Sequence, residues 1–450
     1  MVPPGSPRVA ALLLAAFVAL PGCGAGGPKQ RIVLITLDTL RLDSFAGGEG
    51  RAGSMPLTRA FAERGERFER FYSASATTQP SHASLLTGLH PWQHGVVRNG
   101  TMLRPRHATL AELLREAGFG TAAVVASFAL HSRFGYDQGF DRFDDDFERE
   151  IETGQTTWMG KELEDEFYSL AGDVTRRALA ALDALDGDRQ FLWVHYYDPH
   201  TPYGDSTEGP VDLAEVRAAV RQDPAIGKQA IERSRDLYDR DVESLDRSLG
   251  ELLARLVREA DEYETHVVLA SDHGESFGEA NSLGHGNRLT PEQIHVPLAI
   301  VSPVTSDARA GRVRADVCGT VDLFSTLLAL VGLEPPAQAR GRDLARTREG
   351  TAFGMRRVPA KGSVREARAD GTTGTIEGPR FFVVDGERIL SGDPQTILLD
   401  DESEVRLDPE REQEVRLLFA AFLAELEGGD SDALEDEETL AALRAMGYVE

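Results

Sequence analysis

Sulfur is scarce in this 450-residue chain, which has two cysteines, Cys23 and Cys318, and six methionines. Cys23 lies ahead of the folded region and Cys318 inside it, so a disulfide framework is excluded. Cys318 also sits in no nucleophile context, which removes thiolate catalysis. Positive charge is short as well: 48 Lys and Arg against 74 Asp and Glu leave a formal net charge of −26. Nucleic-acid phosphates demand a basic face, so that class of partner is excluded. An anionic small substrate is not, because a metal ion and a few local donors reverse the field inside one cleft. No apolar run is long enough to cross a bilayer comfortably.

The run VAALLLAAFVAL (Val9–Leu20) follows Arg8, which is the layout of an export signal. It ends in Leu20-Pro21-Gly22-Cys23, which resembles a bacterial lipobox with cleavage before Cys23. Residues 1–23 are therefore expected to be a signal peptide, and 24–30, rich in glycine, a flexible tether. The expected location is outside the cytoplasm of a bacterium, as a periplasmic, outer-membrane or cell-surface lipoprotein. Membrane contact would then come only through a lipid on Cys23.

What is present in quantity is a strand–helix alternation. RIVLITL (31–37) is a short continuous apolar run, as expected of a central parallel strand buried on both faces. FLWVHYYDPH and HVVLASDHGE repeat the theme, each an apolar strand running into polar residues able to bind metal. Helices are expected around Pro56–Arg64, through TLAELLREAG, and in VDLFSTLLALVG with a glycine C-cap. Val242, Leu245, Leu249, Leu252, Leu253 and Leu256 form one face of a long amphipathic helix. ERFERFYS and HVPLAIVSP add strands. The fold class expected is α/β: a mostly parallel central sheet with helices on both faces, spanning 31–348. Beyond it, PRFFVVDG, ERILS and TILLDD read as short antiparallel strands, and Val415–Leu426 as a helix. These make a small C-terminal subdomain over 349–428, and an acidic tail fills 429–450.

Ligands of open parallel sheets bind beyond the carboxyl ends of the strands. Asp38, Asp198 with His200, and Asp272 with His273 all stand there. Any one of them has a structural explanation as a turn or cap residue. Three clusters that each directly follow a buried strand point to a shared metal site. Carboxylates plus imidazole, without sulfur, suit one divalent ion among Zn²⁺, Mn²⁺, Mg²⁺ and Ca²⁺. The histidine favours Zn²⁺ or Mn²⁺ over Ca²⁺, which prefers oxygen. A hydroxyl beside such an ion is activated, because the cation favours its deprotonated form.

The ordered set TLDTLRLD, TTQPSHASLLTG, DPHTPY, SDHGE and GHG, followed by HVPLAI, resembles the sulfatase branch of the alkaline phosphatase superfamily. The resemblance runs from Arg31 to about Glu334. It implies an alkaline-phosphatase-like fold and Asp38, Asp272 and His273 as metal ligands. Thr78 falls where sulfatases carry the Cys or Ser that becomes formylglycine. The resemblance also implies His200 and His285 as groups that bind the ester or protonate the leaving group. Asn99 matches a substrate-contacting asparagine, with Asp198, His82 and Arg41 as further substrate contacts, Arg41 being equally a candidate for a structural ion pair. Asp198, His200 and His285 are alternatively the makings of a second metal site.

The chain departs from that pattern. Thr39 stands where a second Asp is usual, His82 where Arg is usual, and His285 near a usual Lys. A threonine cannot be oxidised to formylglycine, so none is expected. Thr78 is then either an alkoxide nucleophile that also touches the metal or the mark of a lost site. The function expected is an exported, metal-dependent hydrolase of anionic esters. Phosphodiesters or phosphonate esters are preferred, because a sulfo-threonine would have to be hydrolysed at sulfur. The alternatives are a transferase of phosphoethanolamine or glycerophosphate type and a non-catalytic anion-binding protein. Thr77 and Ser81 read as helix-cap hydroxyls, His90, Trp92 and His94 as packing groups, and Phe140–Glu152 as a solvated acidic loop.

Overall fold

A computed structural model describes residues 29–398 apart from 48–52, 148–156, 159–160, 163–166, 205–210, 349, 357–362, 368–372, 378–380, 386–387 and 393–396. The expected signal peptide, most of the tether, the helix Val415–Leu426 and the acidic tail lie outside the described residues.

Eight strands form the main sheet: β1 (Lys29–Leu37), β2 (Glu66–Phe68), β3 (Gly120–Val124), β4 (Arg142–Asp144), β5 (Arg189–Tyr196), β6 (Tyr263–Ser271), β7 (Leu298–Val301) and β8 (Arg312–Arg314). Their order is β8-β2-β7-β6-β1-β5-β3-β4. Pairing is parallel throughout except at β7, which runs antiparallel to both β6 and β2. The reason is local. The chain leaving β6 returns into β7 at the same end of the sheet, so without a crossover the new strand must run back. β1 lies in the middle, and Ile32–Ile35 and Leu37 are fully buried. A run apolar on both faces is what a strand covered on both sides requires.

Four helices position the site or close the core: α1 (Thr78–Thr87), α2 (Ala171–Ala184), α3 (Pro224–Arg258) and α4 (Thr320–Leu330). α3 starts well before the apolar stripe that announces it. Asp223 caps it by accepting from the Ala225 amide at 2.7 Å, and Pro224 occupies the first turn. Leu245, Leu249, Leu252 and Leu256 of its inner face are fully buried, each contributing about 1.5–3 kcal/mol. α1 packs on α4. At its end Gly88 has φ +67°, and a Cβ there would meet Phe324 Cδ1 at 2.6 Å, so only glycine closes this helix against its neighbour. ERFERFYS does not form one strand; it splits into β2 and the short Phe71–Tyr72, which pairs instead with Cys318–Gly319.

The expected antiparallel strands are present as a four-stranded sheet: Phe353–Met355, Phe381–Asp385, Arg388–Gly392 and Ile397–Leu398. It is fastened to the segment leading into α1. The Met355 amide donates to the Ala74 carbonyl at 2.9 Å, and Ser75 bridges to Met355. Phe381 meets Trp92 edge-on with ring centroids 5.6 Å apart.

Candidate active site and metal centre

The register of the central strands brings distant parts of the sequence level with one another. Leu37 pairs with Tyr196 on one side and with Ser271 on the other. The residues that follow, Asp38, Tyr197 and Asp272, therefore leave the sheet side by side. Thr39 takes φ +53°, a left-handed conformation that is costly for a β-branched residue, about 1–3 kcal/mol. This turn lets the Thr39 amide donate to Asp272 Oδ1 at 3.3 Å, while the Thr39 hydroxyl is buried without a hydrogen bond.

Ligand atoms of Asp38, Asp272 and His273 lie within 4.8 Å of one another. His273 Nε2 is 3.7 Å from Asp38 Oδ1 and 3.6 Å from Asp272 Oδ2. Its Nδ1 faces the Gly274 carbonyl at 3.1 Å, so the ring proton belongs on Nδ1 and Nε2 presents a lone pair. Asp272 Oδ1 accepts from two backbone amides, whereas the buried Oδ2 accepts from none. Burial, and then the charge of Asp38, push the Asp272 carboxyl well above the ordinary carboxylate range. Burial, with His285 next, pushes His273 well below the ordinary imidazole value. An acceptor left without a donor, a carboxylate pair and a bare imidazole nitrogen are what a divalent cation would satisfy, so the residues fit the expected ion.

Thr78 opens α1 and reaches this cluster: its Oγ1 is 3.3 Å from His273 Nε2. The preceding Thr77 holds the N-cap position in extended conformation, but its hydroxyl pairs with Ser75 Oγ at 2.9 Å rather than capping. Ser81 is no cap either. Its hydroxyl donates to the Asp272 carbonyl at 2.8 Å and ties α1 to the ligand loop. Asn99 sits beside the same turn and accepts from the Gln79 amide through Oδ1 at 2.9 Å. A backbone N–H only donates, so the other end of the amide, buried and without a partner, is the donor Nδ2. His285 and His200 continue the cluster: the His273 and His285 rings are tilted to each other with centroids 4.5 Å apart, and His200 meets His285 edge-on at 5.0 Å. Burial, and then His285, depress His200 well below the usual imidazole range.

Two of the expected substrate contacts, His82 and Arg41, are tied into the protein's own hydrogen-bond networks. His82 is committed at both nitrogens: Trp193 Nε1 donates to Thr36 Oγ1 at 3.0 Å, leaving the Thr36 hydroxyl to donate to His82 Nε2 at 3.1 Å. His82 Nδ1 in turn donates to the Thr78 carbonyl at 2.9 Å. It braces the first turn of α1 and offers no donor to an ester. Arg41 spends its guanidinium on Asp43, on Glu279 and on the Glu275 carbonyl, an ion-pair network inside the protein. Asp198 lines a water-sized cavity together with His200, Tyr168, Tyr197 and Asp241. The second metal site does not assemble: among the described residues Asp198, His200 and His285 form no close ligand group. His82, His195 and Asp272 do come within 4.8 Å, but His82 has no nitrogen left to give.

Two residues escape a reading of the sequence alone. His195 is fully buried in β5, and its Nδ1 accepts from the Ala126 amide at 3.4 Å. Its Nε2 proton therefore faces Asp38 Oδ2, 3.5 Å away. The signal was an imidazole inside the apolar run FLWVHYY. Glu275, the last letter of SDHGE, is fully buried against His285. Of the acidic loop, Asp144 pairs with Arg177 and Asp145 lies 3.4 Å from His131.

Residues 30–333 match the family model described as Sulfatase. The multifunctional alkaline phosphatase superfamily protein PehA of Trinickia caryophylli is 23% identical over 399 residues, covering 70% of this chain and 76% of that protein. The choline-sulfatase of Rhizobium meliloti (strain 1021) is 25% identical over 359 residues, 68% of each chain. In fold, the chain resembles the phosphonate monoester hydrolase SpPMH from Silicibacter pomeroyi, with a TM-score of 0.62 at 21% identity over 90% of this chain and 97% of that one.

Proposed function

This chain belongs to the sulfatase family, and from that premise we propose that it is an exported, divalent-metal-dependent ester hydrolase with Thr78 as its unmodified nucleophile. The observation that carries the reading is the 3.3 Å approach of Thr78 Oγ1 to His273 Nε2, the atom that closes the Asp38–Asp272–His273 group. A divalent ion held by those three residues would favour the Thr78 alkoxide and offset charge on the ester oxygens. Thr78 Oγ bonds to phosphorus or sulfur while the bond to the ester oxygen breaks. The departing oxygen keeps the electron pair and takes a proton from His285 Nε2, which receives it from the Thr78 hydroxyl. Water then cleaves the bond to Oγ and restores the hydroxyl, so the sum is ester plus water giving alcohol and acid. Asn99 Nδ2, aimed by the Gln79 amide, is the donor for a non-bridging ester oxygen.

Charge favours a monoanionic ester. Two ligand carboxylates already neutralise a divalent ion, and the burial that depresses His82, His195, His200 and His273 keeps them uncharged. Phosphonate monoesters and phosphodiesters meet that requirement, and their covalent threonine adduct can be hydrolysed at phosphorus. The resemblance to a phosphonate monoester hydrolase points the same way. Mass spectrometry of the metal-loaded protein after brief exposure to p-nitrophenyl phenylphosphonate tests the nucleophile, with a phosphonyl adduct expected on Thr78. Thr78→Ala should lose on the order of 10⁵-fold or more in turnover with metal content unchanged. Retained turnover in that variant would remove Thr78 from the mechanism. Export rests on Val9–Leu20 and Cys23; a membrane fraction carrying diacylglycerol on Cys23, and release by Cys23→Ser, are the expected results.

A further inference from the structure

Glu275 is the most deeply committed acid beside the site that the mechanism above does not use. It is fully buried, and its carboxylate stands 3.2 Å (Oε1) and 3.4 Å (Oε2) from His285 Nδ1. Tyr203, also fully buried, donates its hydroxyl to Oε2 at 3.0 Å. A carboxylate only accepts, so Tyr203 supplies one proton and His285 Nδ1 the other. That arrangement fixes the ring: Nδ1 belongs to Glu275, and Nε2 is the atom His285 has for the ester.

The backbone is equally constrained. Ser276 pairs with Gly284 and Phe277 with Leu283, a hairpin that holds 275 and 285 across from each other although ten positions separate them. Arg41 clamps the Glu275 carbonyl at 2.8 Å and is itself held by Asp43 and Glu279. Gly284 has φ +83°, and a Cβ on it would strike Leu213 Cδ2 at 2.6 Å. The hairpin and the arginine network fix the Glu275 backbone and the tyrosine fixes its carboxylate, whose other contact is an imidazole.

We propose that Glu275, anchored by Tyr203, is a positioning residue that sets the proton placement and bearing of His285 toward the leaving group. The inference rests on the reading that His285 serves the departing oxygen. Glu275 touches neither the ester nor the reacting atoms. Losing it lets the ring rotate, or lets the resting proton occupy Nε2, the nitrogen that must receive the Thr78 proton and pass it on, and departure of a poor leaving group then goes unassisted.

The test compares Glu275→Gln, Glu275→Asp, Tyr203→Phe and His285→Asn with the unaltered, metal-loaded protein. The probes are p-nitrophenyl phenylphosphonate and phenyl phenylphosphonate, whose leaving groups differ in their need for a proton. Glu275→Gln should lower kcat for the phenyl ester by about 100-fold, within the range for an assisted proton transfer. For the nitrophenyl ester its kcat should stay within about threefold. Glu275→Asp should recover part of the loss, and Tyr203→Phe should show the same bias, smaller. Equal losses on both esters in Glu275→Gln would overturn the inference. If His285→Asn also shows no leaving-group bias, the reading of His285 falls with it; if His285→Asn shows the bias alone, only the role of Glu275 falls. A second measurement needs no turnover: the imidazole ¹⁵N spectrum should place the His285 proton on Nδ1 in the unaltered protein. An identical spectrum in Glu275→Gln would equally overturn the assignment.

Discussion

Asp272 offers a case in which removing a functional group should strengthen the metal-free fold. Its carboxylate and that of Asp38 are both buried, with ligand atoms within 4.8 Å. At an effective dielectric near 20, two unit charges at that distance repel by about 3 kcal/mol. In Asp272→Asn, Oδ1 still accepts from the amides of Thr39 and His273, and the new amide nitrogen replaces the oxygen that accepts nothing. Proton uptake already relieves part of the repulsion in the parent, so a gain of about 2 kcal/mol is expected, a few degrees in Tm for a chain of this size. With metal the order must invert. At 100 times Kd, binding adds about 2.7 kcal/mol to the parent and little to the variant. Thermal unfolding in chelator and in excess Zn²⁺ or Mn²⁺ therefore gives crossed rankings. The raised carboxyl adds a pH signature. Asp272 binds its proton more tightly folded than unfolded, so the metal-free parent loses stability as pH rises above about 4, and Asp272→Asn does not. A metal-free variant less stable than the parent, with equal metal shifts in both, would refute the reasoning.

Thr39→Asp should tighten metal binding by about tenfold, ~1.4 kcal/mol, because a carboxylate replaces a buried, unbonded hydroxyl in a left-handed turn that Asp tolerates better than Thr; competition with a chromophoric chelator measures it. His94 is buried, accepts from the Val96 amide at 3.1 Å and lies 3.0 Å from Ser84 Oγ. Burial, and then nearby histidines and Arg106, hold it well below the usual imidazole value. Its contribution is therefore complete above the unfolded value near 6.5 and is lost as pH falls below it, by about 1.4 kcal/mol per pH unit at most. Denaturant titrations between pH 7 and 5 should show the summed loss from the histidines that burial depresses, His82, His195, His200 and His273 among them, and His94→Gln should lower the slope by its own share.

The parallel core was legible because β1, β5 and β6 are apolar on both faces and end in chemistry-bearing residues. Asp38, Thr78, Asp272 and His273 were legible for the same reason, since each begins where a strand stops or a helix starts. The role of His82 and the partners of Arg41 were not. Which partner an arginine or imidazole chooses depends on groups far along the chain, such as Glu279 for Arg41 and Trp193 through Thr36 for His82. Glu275 was written in the motif, but its role needs Tyr203 and the hairpin, neither of which carries periodicity. The reversal at β7 was hidden because an antiparallel and a parallel buried strand share one composition.

The bond between Met355 and Ala74 bears on how this protein can be divided. The sequence invites a cut after residue 348, yet the strand beyond that point is stitched to Ala74 and Ser75, in the segment that leads to Thr78. A chain ending there would leave the Ala74 carbonyl and the approach to Thr78 without their lateral support. The small sheet is thus a splint on the turn that presents Thr78, and changes that loosen it should register as lost turnover before they register as lost fold.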